Sequence, residues 1–134
     1  KLKGNKHLIL GNHDRVKDQR YKQLFVEVCN HKEVKDTING KEYHVVLSHY
    51  PLAFWNHQHH YRRDGEKHKV WSIQLYGHVH NSNEEVIFQN YIKQLNDAHN
   101  IKCIAKNVGC MMEYMNYIPR TLSELITCDV KEKI

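Results

Sequence analysis

The stretch Lys6-His7-Leu8-Ile9-Leu10-Gly11-Asn12-His13-Asp14-Arg15 decides how the rest of the chain is read. His7-Leu8-Ile9-Leu10 reads as a short buried β-strand that runs straight into a glycine and three polar side chains. Glycine accepts turns that a β-carbon resists, and it lets a ligand come close to the backbone. Open α/β sheets hold their ligands at the carboxyl ends of their strands, so this strand end is a candidate ligand turn.

The same pattern occurs twice more. Tyr43-His44-Val45-Val46-Leu47 is apolar enough for a buried strand and ends in Ser48-His49-Tyr50-Pro51, where the proline cannot donate to a ladder. Residues 70–76 alternate as a strand and run into Gly77-His78-Val79-His80. If the three strands share one sheet, their ends lie side by side and Asn12, His49, His78 and His80 converge. His78 and His80, two apart on an extended segment, then project to the same side. Imidazole nitrogens and an amide oxygen suit divalent Zn, Mn, Fe or Ni better than Ca or Mg. Asn12 would ligate through its carbonyl oxygen. His13 is a candidate proton donor to a leaving group or stabiliser of phosphoryl charge. Asp14 is a candidate for holding the His13 imidazole in one tautomer.

Working outward, residues 16–24 read as a helix and 25–28 as extended. Segments 31–38 and 41–48 flank Asn39-Gly40, a strong signal for a two-residue hairpin turn. Residues 52–70 read as a loop whose histidines, His57, His59, His60 and His68, are solvated. His7, His31, His44 and His99 read as structural or surface residues. Tyr50, Trp55 and Tyr76 read as packing residues. Ser82-Asn83-Glu84-Glu85 is a capping-box pattern, and Ile87, Tyr91, Leu95 and Ala98 recur at helical spacing, predicting an amphipathic helix over 84–98. Residues 101–108 read as another buried strand. Thr121-Leu122-Ser123-Glu124 is a second capping box that opens a C-terminal helix. Strands interleaved with helices, plus one hairpin, predict a layered α/β domain.

With 134 residues the chain makes one domain, spanning 1–134. Its 40% hydrophobic and 26% charged content is that of a soluble globular protein, with no apolar run long enough to span a bilayer and no signal-peptide core. The expected location is therefore cytoplasmic, with no membrane partner. Cys29, Cys103, Cys110 and Cys128 form no C-x-x-C pair and read as reduced residues in apolar surroundings. The net charge of +5 suits an anionic ligand, but the basic residues are scattered, so nucleic acid is a weakly supported partner. Twelve histidines are the compositional outlier.

The motifs GNHD at 11–14, SHYP at 48–51 and GHVH at 77–80, in this order and each after a strand, resemble those of the calcineurin-like metallophosphoesterases, small single-domain type. Asn107-Val108-Gly109-Cys110, followed by Tyr114 to Pro119, looks like that family's closing segment. The resemblance covers essentially the whole chain. It implies an α/β fold with a layered β-sheet sandwich flanked by helices, in four layers α-β-β-α. It implies hydrolysis of phosphoric esters, diester or monoester, by two divalent metal ions that clamp the phosphate. Asn12, His49 and His78 would bind one metal and His80 the other, with His13 as acid or charge stabiliser. The substrate would be a phosphate-ester small molecule or a nucleotide. The family's Asp-x-His and Gly-Asp motifs should lie upstream of residue 1, because no Gly-Asp occurs in the chain and Asp97-Ala98-His99 falls in a predicted helix. The first strands are then missing as well. The alternative is a truncated, catalytically crippled metal-binding remnant or interaction module. An unpaired sheet edge would favour a homodimer.

Overall fold

A computed structural model of the chain describes residues 3–15, 17–60 and 70–128. The elements are β1 (His7–Ile9), α1 (Gln19–Leu24), β2 (Glu27–Cys29), β3 (His31–Ile38), β4 (Lys41–Ser48), β5 (Val70–Tyr76), α2 (Asn83–His99), β6 (Ile104–Asn107) and α3 (Leu122–Cys128). The class is mixed α/β, with two open sheets and three helices among the described residues.

The hairpin forms where local chemistry demands it. Asn39 and Gly40 sit at φ 51° and 76°, the left-handed pair that a two-residue turn requires. Pairing then runs from Ile38↔Lys41 back to His31↔Ser48. The four-stranded sheet has the order β3-β4-β5-β6, antiparallel across β3 and β4 and parallel thereafter. Because β4 and β5 are parallel and Leu47 pairs with Leu75, their carboxyl ends emerge at the same edge.

Both faces of this sheet are covered. On one, Val46, Tyr76 and Ala105 pack with Phe88, Tyr91, Ile92 and Leu95 of α2 and with Trp55. On the other, Tyr43, Val45 and Ile73 pack with Leu122 and Ile126 of α3. The buried stripe of α2 is the expected one only in part: Tyr91 and Leu95 pack on the sheet, but Ile87 is 68% exposed and Ala98 is exposed, with Phe88 and Ile92 facing the sheet in their place. Three consecutive apolar residues, Val86-Ile87-Phe88, leave the phase of the stripe undetermined by spacing alone.

The expectation that the three motif-bearing strands share one sheet is corrected. Among the described residues β1 pairs only with β2, in parallel, and these two form a separate sheet with α1 as the crossover. Asn30 is the single residue between β2 and β3, so the chain passes from one sheet to the other within one step. Leu8 and Ile9 are half-buried rather than core residues, because a two-stranded sheet has little to cover them.

The capping boxes diverge. At α3 the box closes both ways: the Thr121 amide donates to Glu124 Oε2 (2.7 Å), and the Glu124 amide donates to Thr121 Oγ1 (3.3 Å). At α2, Ser82 Oγ accepts from the Glu84 amide (3.2 Å), but the Glu85 carboxylate turns into the protein. Cys29, Cys103 and Cys110 are free thiols. Cys103 is buried, which pushes its pKa up to about 11, whereas Cys110 is exposed and not in the apolar setting expected. Among the described residues no helix is long and apolar enough to cross a membrane. His68 and the rest of 61–69 lie outside the described residues, as do Val16 and the Cys128 side chain.

Two polar side chains inside the sheet hold the segment after β4. Gln74, fully buried, accepts from the Leu52 amide (2.6 Å) and donates to the Leu52 carbonyl (3.0 Å). Trp55 Nε1 donates to Ser72 Oγ (2.7 Å). Gln74→Leu leaves both Leu52 backbone groups unmet at a site of similar volume. A loss of about 2 kcal/mol is expected in urea unfolding, with β4–β5 pairing retained in amide exchange.

Candidate metal centre

Three loops meet at the carboxyl edge of β4 and β5. His49 follows β4 directly, and its carbonyl accepts from the Gly77 amide (3.0 Å), a last rung beyond the parallel ladder. That rung sets the height of the 77–80 turn against His49. Asn12 comes from the other sheet, on the turn after β1.

The turn at 11–14 is closed by its own residues. The Asp14 amide donates to the Gly11 carbonyl (3.1 Å), and the Gly11 amide donates to Asp14 Oδ2 (2.7 Å). Tyr21 of α1 donates its hydroxyl to Asp14 Oδ1 (3.2 Å). Both Asp14 oxygens thus shape the turn and fasten it to α1, in place of the expected bond to the His13 imidazole. His13 itself is exposed.

Gly11 is there for space rather than for its backbone angle. A β-carbon built on it would lie 2.9 Å from His49 Cε1 and 3.0 Å from His49 Nδ1. The imidazole therefore rests against bare backbone, and this seat brings His49 to Asn12.

The side chains of Asn12, His49 and His78 converge on one point. His49 Nε2 is 2.8 Å from Asn12 Oδ1, His78 Nδ1 is 3.2 Å from Asn12 Oδ1, and the two ring nitrogens are 3.2 Å apart. Asn12 Oδ1 is an acceptor only, so one imidazole N–H can bond it while the second ring nitrogen, accepting from the first, turns its lone pair toward Asn12 Oδ1. A cation at the centre would satisfy all three lone pairs. Ligand atoms at about 2.1 Å from an ion and 90° apart are separated by about 3.0 Å, so the triangle has the right size for one face of such a site. Burial holds the His49 pKa below its ordinary value, with the neighbouring His78 adding to the effect. A neutral ring is the form that ligates.

His80 does not join the triangle. His78 and His80 sit at φ 60° and 51°, so the 77–80 turn is left-handed at both histidines and not extended as expected. His78 meets Asn12 and His49, while His80 is exposed; both histidines line, with Val79, Ser82, Asn83 and Glu84, an open cavity of about 420 Å³ at the start of α2. Left-handed non-glycine residues persist only where their surroundings insist. Here Asn107, fully buried, donates to the His80 carbonyl (3.0 Å) and to Glu85 Oε2 (3.1 Å). Tyr76 donates to the same carboxylate (2.8 Å).

Three contributors escaped sequence reasoning. Glu85 carried a capping signal that pointed the wrong way. Asn107 belonged to a recognised segment without an assigned task. Tyr50, read as a packing residue, is 47% exposed and lays its ring against His78, with centroids 4.4 Å apart. Among the described residues no group of three or more His, Cys, Asp or Glu is arranged to hold an ion. The convergent set is two imidazoles and one amide oxygen.

Gly11→Ala should push the His49 ring outward and rehydrate it. The His49 pKa is expected to rise toward the ordinary histidine value of about 6.5, read from imidazole NMR shifts against pH. An unchanged titration would mean that Gly11 does not seat the ring. No protein-family model matches the chain, and neither a curated protein nor a solved structure matches it.

Proposed function

We propose that this chain carries part of a metal-dependent centre for hydrolysing phosphoric esters, with Asn12, His49 and His78 as the donors to one divalent ion. The observation that carries the proposal is the triangle of three lone-pair atoms with edges of 2.8 to 3.2 Å. The chemistry of the set, two imidazoles and an amide oxygen, favours Mn, Zn, Fe or Ni. A bound ion of this kind supplies Lewis-acid polarisation of a phosphoryl oxygen and, as a pair, a clamp on the attacking and leaving oxygens.

The residues divide the remaining work. Asn12 offers its amide oxygen from the self-closed 11–14 turn that also carries His13. His13, next in the chain and exposed, gives a proton to the leaving oxygen or stabilises charge on the phosphoryl group. His80, beside the cavity, belongs to a second ion in the same reading, and the cavity receives the leaving group of a small phosphate ester or nucleotide. The two sheets would be the β layers of a four-layer α-β-β-α sandwich.

A second reading has its own support. The convergent set contains no carboxylate, and Asp14 has both oxygens committed to Gly11 and Tyr21. A centre that lacks a bridging carboxylate holds one ion and no two-ion clamp, which describes a metal-binding remnant or interaction module.

Two measurements separate these readings. Asn12→Ala and His78→Ala should each weaken Mn²⁺ or Zn²⁺ binding at this centre about tenfold or more in calorimetric titration, and an unchanged affinity in both would remove the centre. Turnover of a generic aryl phosphodiester with Mn²⁺ at roughly 1 s⁻¹ or faster would favour the hydrolase. Ion binding without turnover would favour the remnant.

A further inference from the structure

A second histidine cluster lies apart from this centre, on β4 and the segment that follows it. His44, on β4, is 4% exposed. Its Nε2 is 2.9 Å from Glu33 Oε2 on the adjacent strand β3, and Asn56 Nδ2 donates to the same oxygen (3.0 Å). Bonds from Asn56, His31 and His44 hold the Glu33 carboxyl below the usual carboxylate range, so it stays an ionised acceptor. The Glu33–His44 bond therefore fixes the His44 proton on Nε2 and leaves Nδ1 as a bare lone pair. That Nδ1 is buried and has no hydrogen-bond partner among the described residues. Leaving a buried acceptor unmet costs roughly 1–3 kcal/mol, so such an atom calls for an explanation.

The neighbours of His44 are two more imidazoles. The His57 ring packs on the His44 ring with centroids 4.1 Å apart, and His60 packs on His57 at 4.2 Å. His57 Nδ1 and His60 Nδ1 face each other at 2.7 Å. His57 sits at φ 66°, a left-handed angle uncommon for a residue with a side chain.

We propose that His44, His57 and His60 form a second binding site for a borderline divalent transition ion such as Zn²⁺, with Glu33 as the positioning residue for His44. A carboxylate that accepts from the N–H of one ring nitrogen and leaves the other free is the usual partner of a metal-bound histidine. The 2.7 Å gap between His57 and His60 is that of one shared proton, and as the rings stand no three such side chains are arranged to hold an ion. The ion takes the place of that shared proton, spreading the two nitrogens by a few tenths of an ångström to the about 3.0–3.4 Å expected of ligands on one metal. Both residues belong to the exposed or half-buried segment after β4, where such a shift is cheap. Three neutral imidazoles favour Zn, Ni or Cu over Mg or Ca.

The test is independent of the centre at Asn12, His49 and His78, because it is run with that centre removed. The full chain carrying Asn12→Ala and His78→Ala is titrated with Zn²⁺ by calorimetry and dialysed for metal content. One bound ion per chain is expected, and it should disappear when His57→Ala and His60→Ala are added, with the far-UV circular dichroism unchanged. No bound ion in the first protein, or the same ion retained in the second, overturns the proposal. Should the four-fold variant fail to fold, Glu33→Gln in the first background decides. A roughly tenfold or greater loss of Zn²⁺ affinity supports the site, and an unchanged affinity overturns it.

Discussion

The buried carboxylate of Glu85 ties the architecture of the candidate centre together. It sits in the first turn of α2, where the helix dipole favours negative charge, and it is 8% exposed. Tyr76 at the end of β5, Asn107 at the end of β6 and Gln89 one turn along α2 all donate to it. Gln89 also reaches the Ala105 carbonyl on β6 (2.9 Å). A buried charge is tolerated only when it is this well met, and once met it locks its partners together. Three element ends are thereby pinned to one point. The bond from Asn107 to the His80 carbonyl passes that rigidity into the 77–80 turn.

The candidate centre inherits its geometry from this knot and from the sheet beside it. His49 and the 77–80 turn follow the adjacent parallel strands β4 and β5 directly, and the Gly77–His49 bond carries the strand register on to them. Asn12 has no such guarantee, because it comes from a different sheet. Its position depends on the self-closed 11–14 turn, on the Tyr21–Asp14 bond and on the bare backbone of Gly11. The centre is thus rigid on one side and adjustable on the other.

What could be read from the chain follows the range of the interaction involved. The Asn39-Gly40 hairpin, the bounds of β5 and the Thr121–Glu124 cap were legible because each is decided within four to eight residues. The motif clusters were legible as strand ends, and three of the four expected metal-ligand candidates do meet. The allocation of β1 to its own sheet was not legible, since pairing partners leave no mark on a three-residue strand. The inward turn of Glu85 was hidden because a capping box reads the same whether its acid faces the cap or a distant Tyr76. His80 was misdirected by treating Gly77-His78-Val79-His80 as extended. Nothing in the letters announces two left-handed histidines.

Those two residues set a tension between endurance and use. Each non-glycine residue held at a left-handed angle costs about 1–2 kcal/mol relative to a glycine, and His78 and His80 both pay it. Glycine at either position would relax the backbone while deleting an imidazole. Any process that rewards thermal robustness alone therefore drives this turn toward losing its side chains. The turn gives up that backbone stability to present two imidazole rings at the edge of the sheet.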